Sequence, residues 1–194
     1  MGFFKKDKPA PVEPVQVMFG SEYIAKCNEI SKLARQGKKN ISMQFSLEFD
    51  NNLLREIDDC IQSHSATNRV LYSDNMQDLN IVGESYHQTE LNNLFEEVGN
   101  DWLAGFLMPE PLNAYDTNAI SVIIISPNQD TRNEYDAIQV GHLSKEQAKK
   151  VSAKLIDLTS KDTFIPVLAK LNGGTADKPN IGVFGRAKTD KIRF

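Results

Sequence analysis

The sequence predicts an α+β fold: a small six-stranded β-barrel with two helices, preceded by a small mixed α/β unit. Three observations carry this expectation. Over residues 79–190, six short apolar runs of strand character are separated by turn signals, the pattern of a closed or nearly closed barrel. Two stretches within that span, 88–98 and 145–159, switch to helical spacing. Ahead of the barrel, Ile41-Ser42-Met43-Gln44-Phe45-Ser46-Leu47-Glu48-Phe49 alternates apolar and polar without a break, between two amphipathic helical stretches.

Composition bounds the class. The chain has 194 residues, 25% of them charged and 40% hydrophobic, the profile of an ordinary globular protein with one or two domains. The net charge is −4, so the whole molecule is not a polycation. The charge is uneven: 11 Lys/Arg face 5 Asp/Glu from Lys145 onward, against 11 and 21 before it. A basic C-terminal segment admits a local anionic partner; a solvated face explains the same charges. The two cysteines, Cys27 and Cys60, form no CxxC pattern and no metal-ligand spacing with His64, His87 or His142. Free buried thiols in a reducing compartment are expected, hence a cytoplasmic protein, with no metal and no cofactor. No apolar run approaches the ~18 residues of a membrane span. The start, Met1-Gly2-Phe3-Phe4-Lys5-Lys6, lacks the apolar core of a signal peptide.

In order, residues 1–15 carry Pro9, Pro11 and Pro14 and read as a flexible lead. A helix is expected over 20–36, with Ser21 as cap, Ile24, Cys27, Ile30 and Ala34 on one face, and Gly37 at its end. The strand 41–49 follows, then a helix over 52–63 opened by Asp50-Asn51, a polar loop, and a short strand at Arg69–Tyr72. Residues 16–75 thus form an α/β unit without a catalytic constellation. The barrel, 79–190, begins with a strand over 79–83. Its first helix, 88–98, turns Leu91, Leu94, Phe95 and Val98 inward and stops at Gly99. Strands over 103–109 and 118–126 flank a polar loop, and a hairpin connection over 128–136 leads to the strand 137–143. Ser144 and Gln147 form a capping-box pattern for the helix 145–159. Pro166 interrupts the strand 164–171 and marks an edge or a bulge. The last strand covers 181–188.

The loop Glu110-Pro111-Leu112-Asn113-Ala114-Tyr115-Asp116-Thr117-Asn118-Ala119-Ile120 stands out. A ring, a carboxylate and two carboxamides held between strands suit recognition better than a core. Simpler roles stay open. Tyr115 could plug the barrel mouth, Asp116 and Asn118 could be turn formers, and His142 could be a satisfied core histidine. Gly83 and Gly141 suit special backbone geometry. Lys145 stands in the first turn of a helix, where the dipole disfavours a cation, and an outside anion would explain it.

Three pieces, Val82-Gly83-Glu84-Ser85-Tyr86, Asn113 to Ile120, and Gln139-Val140-Gly141-His142-Leu143, stand in this order and spacing. Together they resemble the HIRAN domain, a module attached to DNA translocases of replication-fork repair and also found in bacteria and phages. The resemblance rests on Val82, Gly83, Tyr86, Glu110, Pro111, Asn113, Tyr115, Asp116, Asn118, Ala119, Ile120, Val140, Gly141, His142 and Leu143. It implies a barrel of the OB or SH3-like kind that captures a 3′-hydroxyl end of single-stranded DNA. Carried over, Tyr86 and Tyr115 stack on terminal bases, Asp116 accepts from the 3′-hydroxyl, Asn113 adds a polar contact, and His142 and Lys145 face the adjoining phosphates. The chain departs from the family at Ser85, where relatives carry a basic residue, at Ala114, usually proline, and at Glu84, which adds a negative charge.

The chemistry of these residue types agrees. Base stacking on an aromatic tolerates any sequence. A carboxylate repels phosphate yet accepts from a hydroxyl, so it distinguishes a free end from continuing backbone. Enzymatic readings find no support: GxxxxGK[ST], GxSxG and HExxH are absent. Two function classes are therefore expected. One is a binding module for 3′ ends of single-stranded DNA in repair, recombination or phage DNA metabolism, working beside a DNA-processing enzyme. The other is a protein-interaction adaptor or homo-oligomer built through the N-terminal unit. No membrane partner is expected.

Overall fold

The computed structural model describes residues 15–36, 45–128 and 134–194. The expected lead before residue 15, the helix end at Gly37, the first half of the alternating strand and most of the hairpin connection 128–136 lie outside the described residues. The elements run β1 Val15–Met18, α1 Ser21–Arg35, β2 Phe45–Glu48, α2 Asn51–Ser63, β3 Met76–Leu79, β4 Ile81–Val82 and a 3-10 turn Glu84–Tyr86. Then come α3 Gln88–Val98, β5 Trp102–Pro109, β6 Ile120–Pro127, β7 Tyr135–Leu143, α4 Lys145–Thr159, β8 Pro166–Gly173 and β9 Ile181–Lys188.

The α+β class and the nearly closed antiparallel barrel are as the sequence predicts. The barrel has seven strands in the order β3-β9-β8-β5-β6-β7-β4, where six were expected. The difference lies in one segment. The strand expected over 79–83 breaks at Asn80. Leu79 ends β3, which starts earlier than expected, at Met76, and pairs with β9; Ile81–Val82 form β4, which pairs with β7. The two edges of the sheet are thus consecutive pieces of one bent chain, which is what closes the barrel. The bend is held by the start of α4. Asn80 N–H donates to Gln147 Oε1 at 2.7 Å, and Ser144 N–H donates to Asn80 O at 2.7 Å. Ser144 Oγ accepts from Gln147 N–H as the capping pattern requires. The reciprocal bond is not made, because the Gln147 side chain serves the bend instead.

Two hydrophobic clusters lie on opposite faces of this sheet. Inside the barrel, Leu103 and Leu107 of β5, Ile120, Val122 and Ile124 of β6, and Val167 and Leu171 of β8 meet Leu91 and Leu94 of α3 and Val151 and Leu155 of α4. Outside, Ala104, Phe106, Met108, Ile123 and Ile125 meet Phe19, Ile24, Leu54 and Ile57 of the N-terminal segment. This is why Val122–Ile125 reads as an unbroken apolar run. A strand covered on both faces has no solvent side to alternate with. Helices α1 and α2 therefore share a core with the barrel strands. The aromatic centre of that core is Phe106, fully buried, its ring 5.7 Å from Phe19 and 5.5 Å from Phe49.

Local differences have local causes. Ser21 is the first residue of α1 and does not cap it; Asp162 does, accepting from Ser21 N–H at 2.8 Å. The Arg69–Tyr72 strand reduces to a single bridge, Val70 with Phe164. Pro166 sits at the first position of β8, opposite Phe106, with β5 and β9 on either side. It marks a strand start, where the missing N–H is tolerated, and neither an edge nor a bulge. Cys27 and Cys60 are buried free thiols, and burial pushes each up to about 11. No helix among the described residues is long and apolar enough to cross a membrane.

Candidate functional site

The β5–β6 loop, 110–119, is closed at its base by Glu110 N–H donating to Ala119 O at 2.8 Å. Inside it, Asn113 Oδ1 accepts from the backbone N–H of Tyr115 at 3.0 Å and of Asp116 at 3.1 Å. Asn113 Nδ2 donates to Glu110 Oε2 at 2.8 Å. The Asn113 amide thus shapes the loop and keeps one Nδ2 proton for an outside acceptor. Asp116 Oδ1 accepts from Asn118 N–H at 2.9 Å and from Asn118 Nδ2 at 3.1 Å. Its Oδ2 has no partner among the described residues. Asp116 is therefore both a turn former and a fixed acceptor with one oxygen to offer. Its carboxyl is held below the usual range by the Asn118 N–H, and Lys145 and Lys149 nearby act in the same direction.

Asn118 ties the loop to α4, since its Oδ1 accepts from the Ser152 hydroxyl at 2.9 Å. That bond sets the loop against the helix bearing Lys145 and Lys149. These two lysines are exposed and carry no ion pair among the described residues, whereas Lys150, Lys154 and Lys161 of the same region pair with Glu146 or Asp157.

His142 on β7 reaches the loop from the other side. Its Nε2 lies 3.2 Å from Glu110 Oε2 and 3.3 Å from Ser121 Oγ. The Ser121 hydroxyl also donates to Glu110 Oε1. A carboxylate only accepts, so Nε2 carries the proton in this arrangement. Burial alone would raise the Glu110 carboxyl, but the hydrogen bonds from His142, Ser121 and Asn113 together hold it below its ordinary value. His142 is thus a tethered, half-buried histidine, and its Nδ1 has no partner among the described residues.

Tyr86 is delivered by a glycine turn. Gly83 adopts φ +87°, in the left-handed region, and opens the 3-10 turn that Tyr86 ends. Gly141 permits the approach of β4 to β7, because a Cβ there would sit 2.7 Å from Val82 O. The result is two nearly naked rings: Tyr86 is 89% exposed and Tyr115 is 99% exposed.

Tyr115 stands between two adjoining recesses. One, about 620 Å³, is lined by Val82, Gly83, Tyr86, His87, Gln139 and residues of the shared wall. The other, about 410 Å³, holds Asp116, Ala119, Leu143, Lys145 and Ala148 beside that wall. Asn113, Tyr115, His142 and Val82 border both. All six predicted residues therefore gather in one surface region, with Tyr86 on one side of Tyr115 and Asp116 and Lys145 on the other. Sequence reasoning did not find the supporting pieces: the Glu110 tether, the Ser152 anchor, and Val82 and Gln139 in the walls. Ser121 and Ser152 carried a usable signal. Ser121 stands between Ile120 and Val122, and Ser152 shares the face of Ala148, Val151 and Leu155; buried polar atoms there need partners. Among the described residues, no group of three or more His, Cys, Asp or Glu is placed to hold a metal ion.

A family comparison identifies this region. Residues 74–165 match the model of the HIRAN domain. No curated protein and no solved structure matches the chain. The matched stretch runs from just before β3 to the residue before β8 and contains both tyrosines, the loop, β7 and α4. Residues 74–165, just under half of the chain, thus match the HIRAN domain, which implies nucleic-acid binding.

Proposed function

We propose that this domain binds the 3′-hydroxyl end of single-stranded DNA by stacking and end-checking, and does no chemistry of its own. The observation that carries the reading is the pair of recesses around Tyr115: a ring 99% exposed, flanked by a second exposed ring and by a fixed carboxylate. An exposed ring contributes nothing to the core, and solvent gains nothing from it. A base stacked on such a ring contributes about 1–3 kcal/mol. The terminal nucleoside enters the recess of Asp116 and Lys145, and the preceding base lies on the Tyr86 side.

Asp116 supplies the check. Its unpartnered Oδ2 accepts from a 3′-hydroxyl. A 3′-phosphate or a continuing strand presents charge of the same sign there, and like charges in contact disfavour the complex. Lys145 and Lys149 offset the repulsion for the phosphates that precede the end. The end-binding role also accounts for two lysines and a carboxylate oxygen that have no partner among the described residues. Such an end-binding module serves repair, recombination or phage DNA metabolism beside an enzyme that processes the same end.

The test compares one oligonucleotide bearing a 3′-hydroxyl or a 3′-phosphate, at two salt concentrations. The hydroxyl end is expected to bind at least about tenfold more tightly, and binding should weaken with salt as counterions are released. Equal affinity for both ends, or no binding at low salt, sinks the proposal.

A further inference from the structure

The outer face of the sheet is not covered along its whole length. Helices α1 and α2 and their cluster reach Ala104, Phe106 and Met108 on β5. Trp102, on the same face at the start of that strand, is left 45% exposed. Across the sheet it pairs with Lys170 of β8, and Lys170 pairs with Phe184 of β9, itself 36% exposed. Two residue pairs along, on the same face, Arg186 joins the row.

The side chains form a continuous strip. Lys170 Nζ lies 5.8 Å from the Trp102 ring centre, the Trp102 and Phe184 rings are 6.1 Å apart at 64°, and Arg186 Cζ lies 5.3 Å from the Phe184 ring. Asp78 holds the Arg186 guanidinium, Nε to Oδ1 at 2.8 Å. Lys170 has no carboxylate partner among the described residues. The strip thus sets two adjacent rings between two cations, with one acid beside them.

We propose that this strip is a second contact surface for single-stranded nucleic acid, one that holds internal nucleotides of the strand. The inference rests on the nucleic-acid reading of the domain but not on end capture. Exposed rings take bases whatever their identity, and the cations on either side of them take the adjoining phosphates. An apolar protein partner would gain little from the unpaired Lys170, whereas a phosphate backbone complements it. Trp102 lies far from the loop that carries Tyr115: Trp102 and Pro109 are opposite ends of β5, about 23 Å apart at strand rise. A short ligand held at that loop cannot reach Trp102, and a longer strand can.

Trp102 is the only tryptophan in the chain, so its fluorescence reports on the strip alone. The full chain is titrated with an oligothymidylate of about 15 nucleotides, the upper range of site sizes for such barrels, blocked by a 3′-phosphate so that end capture does not contribute. Quenching of Trp102 that is reversed by salt is expected. The double variant Lys170→Ala with Phe184→Ala keeps the reporter and should bind this oligonucleotide about tenfold more weakly. A 3′-hydroxyl trinucleotide should bind both proteins equally and leave Trp102 unquenched. No quenching by the long strand, with its affinity unchanged in the double variant, overturns the strip and leaves end capture standing. Quenching by the long strand with no preference of the trinucleotide for a 3′-hydroxyl over a 3′-phosphate supports the strip and defeats end capture instead.

Discussion

Strands β5 and β6 and the loop that joins them are neighbours in sequence but opposites in environment. Phe106, Leu107, Ile120, Val122 and Ile124 have no exposed surface, while Tyr115, a few residues from both strands, is 99% exposed. The strands are covered twice, by barrel core on one face and by α1 and α2 on the other. The loop has no such cover: Leu112 packs on the edge of the outer cluster, and polar bonds to itself, to His142 and to Ser152 hold the rest. The difference teaches where rigidity and recognition come from. The doubly packed strands set the frame, and the polar bonds aim a ring and a carboxylate that packing leaves in solvent. Stability and binding should therefore be separable by mutation.

The separation can be broken from the buried side first. Phe106→Ala should cost about 3–5 kcal/mol, because it opens a cavity at the centre of the outer aromatic cluster. Urea unfolding measures it, and a loss below the effect of an ordinary surface substitution would deny Phe106 its central place. Glu110→Gln sits at the junction of the two regions. It weakens the bonds to Ser121, His142 and Asn113, and an effect of about 1–3 kcal/mol is expected on stability. Affinity should fall as well, as the loop loosens.

The same residue gives a pH signature. The Glu110 carboxyl titrates lower in the folded protein than its ordinary value. The folded state therefore binds fewer protons than the unfolded chain in that range. The stabilisation is complete above the unfolded carboxyl value of about 4.3 and is lost as pH falls through the folded value. Wild type should lose more stability on acidification than Glu110→Gln; identical acid curves would remove the network from the account.

On the exposed side the expected pattern reverses. Tyr115→Ala should leave stability within about 0.5 kcal/mol of wild type while weakening single-strand binding by about 1–3 kcal/mol. A drop in stability as large as the drop in affinity would make Tyr115 a plug of the barrel mouth. The smallest effect belongs to Lys145→Ala or Lys149→Ala. Each should lower the slope of log affinity against log salt by about 0.7, with little change in end preference.

Much of this was legible in the sequence, for reasons that differ by element. Helix α4 was readable to the residue, because Ser144 caps it and its apolar face repeats cleanly. The loop was readable through its short-range chemistry: Asp116 and Asn118 bond within two residues, so local sequence encodes the turn. The break at Asn80 was not readable. It depends on Gln147, far along the chain, and the same Gln147 was expected to complete a local box. The cap of α1 failed for the same reason, since Asp162 lies beyond the next helical elements. Within the site, residue types and their grouping could be read, but the two-sided arrangement around Tyr115 could not. It follows from how β4 packs on β7 at Gly141, a long-range contact.

The central claim is that Asp116 checks for a strand end while packing elsewhere holds it in place. The most direct measurement is the ratio of affinities for 3′-hydroxyl and 3′-phosphate oligonucleotides in wild type and in Asp116→Asn. Wild type is expected to favour the hydroxyl by about tenfold or more, and Asp116→Asn should bring the ratio close to one by accepting the phosphate end better. An unchanged ratio in the variant, or no preference in wild type, would contradict the account.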